Sequence, residues 1–268
     1  MNVIAVYPGR FHPFHKGHAG SYNQLANQFG SDNTYLAISA KQELPKSPFS
    51  AGDRAKMAMV LGVPKDKIKA VTNPYAAKEY IDMLEKNGGD AENTALVFGV
   101  SKKDMEGVPE LNIPPDPRFV FKPKKDGTPS YLQPYTGGEL KPMTQHAYVV
   151  STDVEEFPIA GETMRDASAI RKAYIDASEE KELRILQDLY GKHANLIKPI
   201  FDRHLPLNES LYNFIRQVKP YLHEATNEQR LRLQQILLSA KSRLSQKHIV
   251  ENKPTLEAIS NTDYLEEK

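Results

Sequence analysis

The chain of 268 residues contains no cysteine, which excludes disulfides, thiolate metal ligands and a cysteine nucleophile. That fits a reducing compartment. No apolar run approaches the roughly 20 residues needed to span a bilayer. The first residues, MNVIAVY, lack a basic segment and a small-residue cleavage site, so they read as a strand and not as a signal peptide. Together these absences predict a soluble, cytoplasmic protein without a membrane partner. Charge of one sign is also missing: 35 Lys and Arg face 34 Asp and Glu, a net +1. No global field draws nucleic acid, so any anion must be held by a local site. Hydrophobic residues make up 40% of the chain, enough for an ordinary globular core.

What is present is an alternation. Short β-branched runs occur at Val3–Tyr7, Thr34–Ser39, Lys67–Val71, Thr94–Gly99, Phe119–Phe121 and Ala147–Ser151. Helical patterns separate the first of them: about His18–Phe29, with Ala19, Tyr22, Leu25, Ala26 and Phe29 on one face and Gly30 as a stop. A second covers about Ala51–Leu61 behind an N-cap Ser50 with Asp53 three residues on, and a third about Ala76–Lys86. The order predicts an α/β domain, a parallel sheet covered by helices, over the first two-thirds of the chain. Eight prolines between Val108 and Pro142 break the pattern and mark an insertion at about 108–145. It reads equally as a functional loop near the open end of the sheet or as a surface excursion. From about 176 to 268 the chain reads as a small all-helical region with a polar tail. Leu211, Phe214, Ile215 and Val218 fall at helical spacing within Leu207–Tyr221, and a capping-box pattern at Thr226–Gln229 precedes a leucine-rich stripe.

The stretch PGRFHPFHKGH, Pro8 to His18, follows the first strand and carries three of the chain's eight histidines. Ligands of open α/β sheets bind at the carboxyl ends of the strands. A helix beginning there offers free N–H groups and partial positive charge to an anion. Gly9 and Gly17 allow close backbone approach, and His15 and His18, three apart, can face one pocket. Arg10 adds a permanent cation with fork geometry. A His-x-x-His pair can also bind metal, but no convincing third ligand accompanies it, so no dedicated metal site is predicted.

Gly9 to His18 resembles the GxFxPxHxGH signature of the cytidylyltransferase-like nucleotidyltransferases, in the GRFxPFHxGH form of one group of nicotinamide-mononucleotide adenylyltransferases. Ser47 to Arg54, SPFSAGDR, is similar to the (S/N)PF(S/T)xxxR segment of that group. Arg165 to Arg171, RDASAIR, partly resembles its ISSTxxR turn, with Ser168 and Arg171 matching and Arg165 and Asp166 departing; a register over Ile159–Arg165 is the alternative. The resemblance spans about residues 1–175 and implies a Rossmann-like parallel-sheet nucleotidyltransferase domain there. It implies transfer of a nucleotidyl group, most simply adenylyl, from ATP or another nucleoside triphosphate to a small phosphate-bearing acceptor such as nicotinamide mononucleotide. It implies His15 and His18 on the triphosphate and Arg10, Phe11 and Gly17 around the nucleotide. Ser168 and Arg171 would lie on the β- and γ-phosphates, with Mg²⁺ held mainly by the phosphates and water. The role of His12 stays open.

Weaker candidates each carry a plain alternative. Lys41 and Lys46 follow the second strand and read more simply as solvated lysines. Arg54 fits an acceptor phosphate or a pairing beside Asp53. Gly99 and Asp104 fit a loop around the base or acceptor, or a turn that ends a strand. Within the class, a CTP-dependent cytidylyltransferase and a phosphopantetheine-type adenylyltransferase are the alternatives. Outside it stands a catalytically degenerate nucleotide-binding protein acting through its helical region, with a homo-oligomer left open. A class I aminoacyl-tRNA synthetase shares the His-x-Gly-His turn, but the chain is too short for one.

Overall fold

In the computed structural model the described residues are 1–205 except 44, 45, 108, 110, 111, 113, 154–156, 165 and 166. The apolar run at the N-terminus forms β1 (Asn2–Gly9), whose inner residues are buried on both faces, as a central parallel strand requires. The helix α1 (Lys16–Phe29) returns the chain to β2 (Thr34–Ser39), and α2 (Ala51–Val60) returns it to β3 (Ile68–Val71). After α3 (Ala77–Lys86) the chain crosses to the other side of β1 as β4 (Thr94–Ser101). A short α4 (Lys102–Glu106), β5 (Leu132–Pro134) and β6 (Ala147–Thr152) follow. Among the described residues these six strands form one sheet in the order β3-β2-β1-β4-β6-β5, with every pair parallel. The strand order reverses between β1 and β4, the switch point at which such sheets open a crevice. This is the expected α/β, Rossmann-like architecture.

β4 shows how the two layers seat. Leu96 and Phe98 join the core under Tyr80 of α3, together with Val6, Ala37 and Met143. Gly99 faces the other layer, where an added β-carbon would stand 2.9 Å from Leu25 of α1. Gly99 is therefore a packing glycine that lets α1 lie close to the sheet, not part of a loop.

Three expectations need correction. Phe119–Phe121 is not a strand: Pro117–Phe119 is a 3₁₀ turn capped by Asp116, which accepts from the Arg118 N–H at 2.9 Å. Proline removes a ladder donor there, and Phe119 turns inward against Val100 and Val149. The sixth strand is β5 instead, three residues inside the insertion that end on Pro134, a residue tolerated at a sheet edge. A hairpin, β7 (Pro158–Ile159) and β8 (Glu162–Thr163), was not foreseen; its turn residues Ala160 and Gly161 both have positive φ, 50° and 81°, as tight two-residue hairpins require.

The helices α5 (Ala167–Ile175) and α6 (Glu179–Tyr190) complete the first of two compact units, Met1–Ala194. Of the second, Asn195–Lys268, residues 195–205 are described and helical, with Lys198 and Asp202 paired one turn apart at 3.0 Å. The predicted helices over 207–221 and after 226, and the polar tail, lie outside the described residues. Among the described residues no helix is long and apolar enough to cross a membrane.

Candidate active site

The loop between β1 and α1 folds back on itself. Phe11 has φ 52°, costly for a residue with a β-carbon, and its ring lies over Gly9, where a β-carbon would come within 2.5 Å of it. Aromatic packing offsets that cost: Phe11 meets Tyr7 at 5.4 Å, Phe14 at 5.2 Å and His18 at 5.0 Å. The loop carbonyls are then held from outside, each by a different helix. Arg54 of α2 donates through Nη1 to the Arg10 carbonyl. Arg171 of α5 donates to the His12 carbonyl at 2.6 Å, and the Tyr190 hydroxyl of α6 to that of Phe14 at 2.6 Å.

His15 is the N-cap of α1 and its ring stacks on that of His18, with centroids 3.8 Å apart. The His15 backbone N–H donates to His18 Nδ1 at 3.3 Å. An accepting Nδ1 assigns the proton of neutral His18 to Nε2. Burial draws the His18 pKa well below its ordinary value, and the neighbouring His15 adds to this. Burial, then Lys16, draws His15 down to about 4. Both rings are neutral at pH 7, at the positive end of a helix whose first turn, Lys16 to Ala19, carries no carboxylate.

The two rings border a cavity of about 700 Å³ at the carboxyl ends of β1 and β4. Gly9, Arg10, Phe11 and Gly17 line it from the loop, and Thr72 to Tyr75 from the turn after β3. Ser101, Lys103 and Asp104 close it after β4, and Asp116 and Arg118 from the insertion. The Arg118 guanidinium lies 4.3 Å from the Tyr75 ring centroid and pairs twice with Asp116, Nε to Oδ1 at 3.0 Å and Nη2 to Oδ2 at 2.6 Å. Those bonds hold the Asp116 carboxyl below its usual range, while burial pushes Tyr75 up to about 12. Asp104 uses its N–H on Ser101 Oγ at 3.2 Å, and its carboxylate makes no hydrogen bond or ion pair among the described residues. No group of three metal-ligating side chains occurs among the described residues.

Residues 6–106 match the family model for cytidylyltransferase-like domains. The match covers under half of the chain. No curated protein matches the chain in sequence. Among solved structures it is similar to a bifunctional NMN adenylyltransferase/ADP ribose pyrophosphatase from Francisella tularensis, at 17% identity and a TM-score of 0.45, covering 84% of this chain and 58% of that one. The chain thus spans less than two thirds of that protein. It is also similar to Plasmodium falciparum nicotinic acid mononucleotide adenylyltransferase complexed with NaAD, at 11% identity and a TM-score of 0.43, covering 75% of this chain and 98% of that one.

Within the matched stretch the cavity brings together Gly9, Arg10, Phe11, His15, Gly17, His18 and Asp104 of the predicted residues. Others lie elsewhere. Arg54 is fully buried, its remaining donors on the carbonyls of Ser39 at 2.7 Å and Ser50 at 3.1 Å, so it faces neither cavity nor surface. His12 is buried with its ring stacked on Phe49 at 6.2 Å. Lys46 is exposed, and Lys41 pairs with Glu43 at 3.2 Å. Beyond the matched domain, Ala167 reaches the cavity, while its neighbours Ser168 and Arg171 bond to each other at 3.2 Å and Arg171 to the histidine loop. Arg165 and Asp166 lie outside the described residues. Sequence reasoning missed Tyr75, Asp116, Arg118 and Tyr190. Only Tyr75 had a signal, since a turn that follows a parallel strand opens at the ligand-binding end of the sheet.

Proposed function

We propose that the protein is a nucleotidyltransferase that moves a nucleotidyl group, most simply adenylyl, from a nucleoside triphosphate to a small phosphate-bearing acceptor. The observation that carries this reading is the stacked, neutral pair His15 and His18 at the N-terminus of α1, bordering a cavity at the switch point of the sheet. An acceptor oxygen attacks the α-phosphorus in line, a new P–O bond forms, the bond to the β-phosphate oxygen breaks, and pyrophosphate leaves. The two imidazoles donate N–H bonds to α-phosphate oxygens as charge gathers on them, an arrangement that needs no reorganisation at the moment of reaction. Arg10 and the first N–H groups of α1 hold the triphosphate. Ser168 acts on the phosphates from the start of α5, beside the cavity-lining Ala167, while Arg171 supports the histidine loop through the His12 carbonyl; Phe11 and Gly17 shape the nucleotide pocket. No side chain forms a covalent intermediate; catalysis is positioning and charge stabilisation.

The donor set fits a cation held mainly by phosphate oxygens and water, since the cavity offers one unpaired carboxylate, Asp104, and no cage. Mg²⁺ bound there would neutralise the leaving pyrophosphate. Nicotinamide mononucleotide is the first acceptor to test, on the resemblance of the histidine loop, and the absence of cysteine fits a cytoplasmic reaction. A pyrophosphate-release screen of ATP and CTP against nicotinamide mononucleotide, phosphopantetheine and phosphoalkyl acceptors tests the reading directly. Release with ATP and one acceptor is expected. Failure of any nucleoside triphosphate to bind in titration calorimetry with Mg²⁺ present ends it.

A further inference from the structure

Phe157 belongs neither to the histidine loop nor to the matched residues 6–106, yet it packs on the start of α1. Its ring meets that of His15 edge to face, with centroids 5.7 Å apart. A β-carbon on Gly17 would stand 3.1 Å from Phe157 Cε1 and 3.2 Å from both Nδ1 and Cε1 of His15. The Nδ1 edge of His15, the bare Cα of Gly17 and the Phe157 ring therefore converge on one spot. His15 Nδ1 is buried there, where the side chain faces the His18 backbone N–H in a capping box and meets no acceptor. On the Phe157 ring rests the Lys16 ammonium, 4.1 Å from the centroid. Lys16 is the first residue of α1, where the helix dipole disfavours a cation, and the ring face supplies a compensating attraction.

Phe157 is itself anchored. It runs straight into the β7–β8 hairpin, where Ile159 is fully buried. The Ala160 N–H donates to Asp188 Oδ2 of α6 at 2.7 Å, and Lys181 of α6 pairs with Glu162 at 3.2 Å. The same helix holds the Phe14 carbonyl through Tyr190. One helix outside the matched domain thus braces both sides of the His15 ring's surroundings.

We propose that Phe157 is a positioning residue for His15: its ring seals the Nδ1 edge, so that the imidazole stays neutral and carries its single proton on Nε2. A proton on Nδ1 would set an N–H donor against the His18 backbone N–H and the Phe157 ring with no acceptor in reach, and the cost of burying an unpaired donor opposes it. The same cost opposes the doubly protonated ring, in line with the low pKa that burial gives His15. The charged or titratable groups that bear on His15 are Lys16 and His18, both on α1, and neither favours a second proton. His18 reaches the same tautomer through the other half of the capping box, its Nδ1 accepting from the His15 backbone N–H, and without an aromatic cover like Phe157. The stacked rings then offer two Nε2–H donors side by side. The catalytic meaning of that pair rests on the nucleotidyl-transfer reading; the sealing itself does not.

The test is histidine ¹⁵N NMR on the full chain without nucleotide, at several pH values. Wild-type His15 should show the Nε2–H tautomer and titrate at least about one unit below the ordinary 6.5. Phe157→Ala should raise that midpoint by about one unit or more and mix the tautomers. The acid limb of its pH–turnover profile should shift with the midpoint. Phe157→Leu keeps an apolar cover and should stay close to wild type. Should Phe157→Ala not fold, the wild-type spectrum decides alone: His15 titrating near 6.5, or protonated on Nδ1, overturns the proposal. A folded Phe157→Ala with an unchanged midpoint and tautomer overturns it as well. The expected spectra without pyrophosphate release would uphold the seal and refute nucleotidyl transfer.

Discussion

On the histidine side of the cavity, the carbonyls of Arg10, His12 and Phe14 are held by Arg54, Arg171 and Tyr190, donors from three separate helices. On the insertion side, Arg118 is held by Asp116, two residues away, and by the ring of Tyr75. The first arrangement needs the whole unit to fold before it exists. The second needs one turn. Their electrostatics differ in the same way, for burial has stripped charge from His15 and His18 whereas Asp116 and Arg118 remain an ion pair at the surface. Preorganised donors in a dry setting gain most where charge develops, so the histidine side is fitted to chemistry. The insertion side is fitted to exchange without loss of the fold.

The widest difference should appear in turnover. His18→Ala is expected to lower pyrophosphate release by about 10²–10³-fold, the range for losing one positioned oxyanion donor. Circular dichroism should show the fold unchanged; turnover near wild type would remove His18 from the chemistry. Arg54→Met comes next, in stability. Arg54 is fully buried and donates to three carbonyls, so the variant leaves acceptors unpaired and should lose about 3 kcal/mol in urea unfolding. A loss below about 1 kcal/mol would mean the loop does not depend on its distant donors.

Acid should weaken the same side. The folded His15 pKa lies near 4, below the unfolded value of 6.5, so as pH falls the unfolded chain gains a proton that the folded one refuses. Stability is full above 6.5, declines between 6.5 and 4, and levels off below that, a change of order 3 kcal/mol for this group. Urea midpoints at pH 7.5 and 4.5, compared with those of His15→Asn, measure it. The variant should flatten the profile.

These effects also mark where the sequence was readable. The start of α1, the Ser50 cap and the strand ends could be read because each is a local pattern: a cap, a glycine stop or a β-branched run. The fate of Arg54 could not. Its position fitted an acceptor phosphate or a surface pairing beside Asp53, but its partners are carbonyls at positions 10, 39 and 50, two of them brought close only by parallel pairing of β1 with β2. β5 escaped notice because three residues ending in proline carry no alternation, and only β6 gives them a partner. His12 stood beside His15 and His18 in the sequence, yet the turn at Phe11 sends it to Phe49 instead of the cavity. A motif names the residue types, and the backbone between them decides which reach the ligand.

Tyr190→Phe sharpens the comparison on a smaller scale. It removes one hydroxyl from the buried Phe14 carbonyl and should cost about 1 kcal/mol, read from the urea midpoint. The smallest effect belongs to the insertion side. Half of the Arg118 side chain is exposed, at 52%, and its pairing with Asp116 is screened by water. Arg118→Ala should therefore cost less than about 1 kcal/mol, the sum of a surface ion pair and a partly solvated contact with Tyr75. The Asp116 carboxyl, freed of the guanidinium that holds it down, should titrate higher, toward the ordinary carboxylate range, which NMR of that side chain can follow. A loss as large as that of Arg54→Met would break the contrast, because it would mean that the insertion is built into the fold as deeply as the histidine loop.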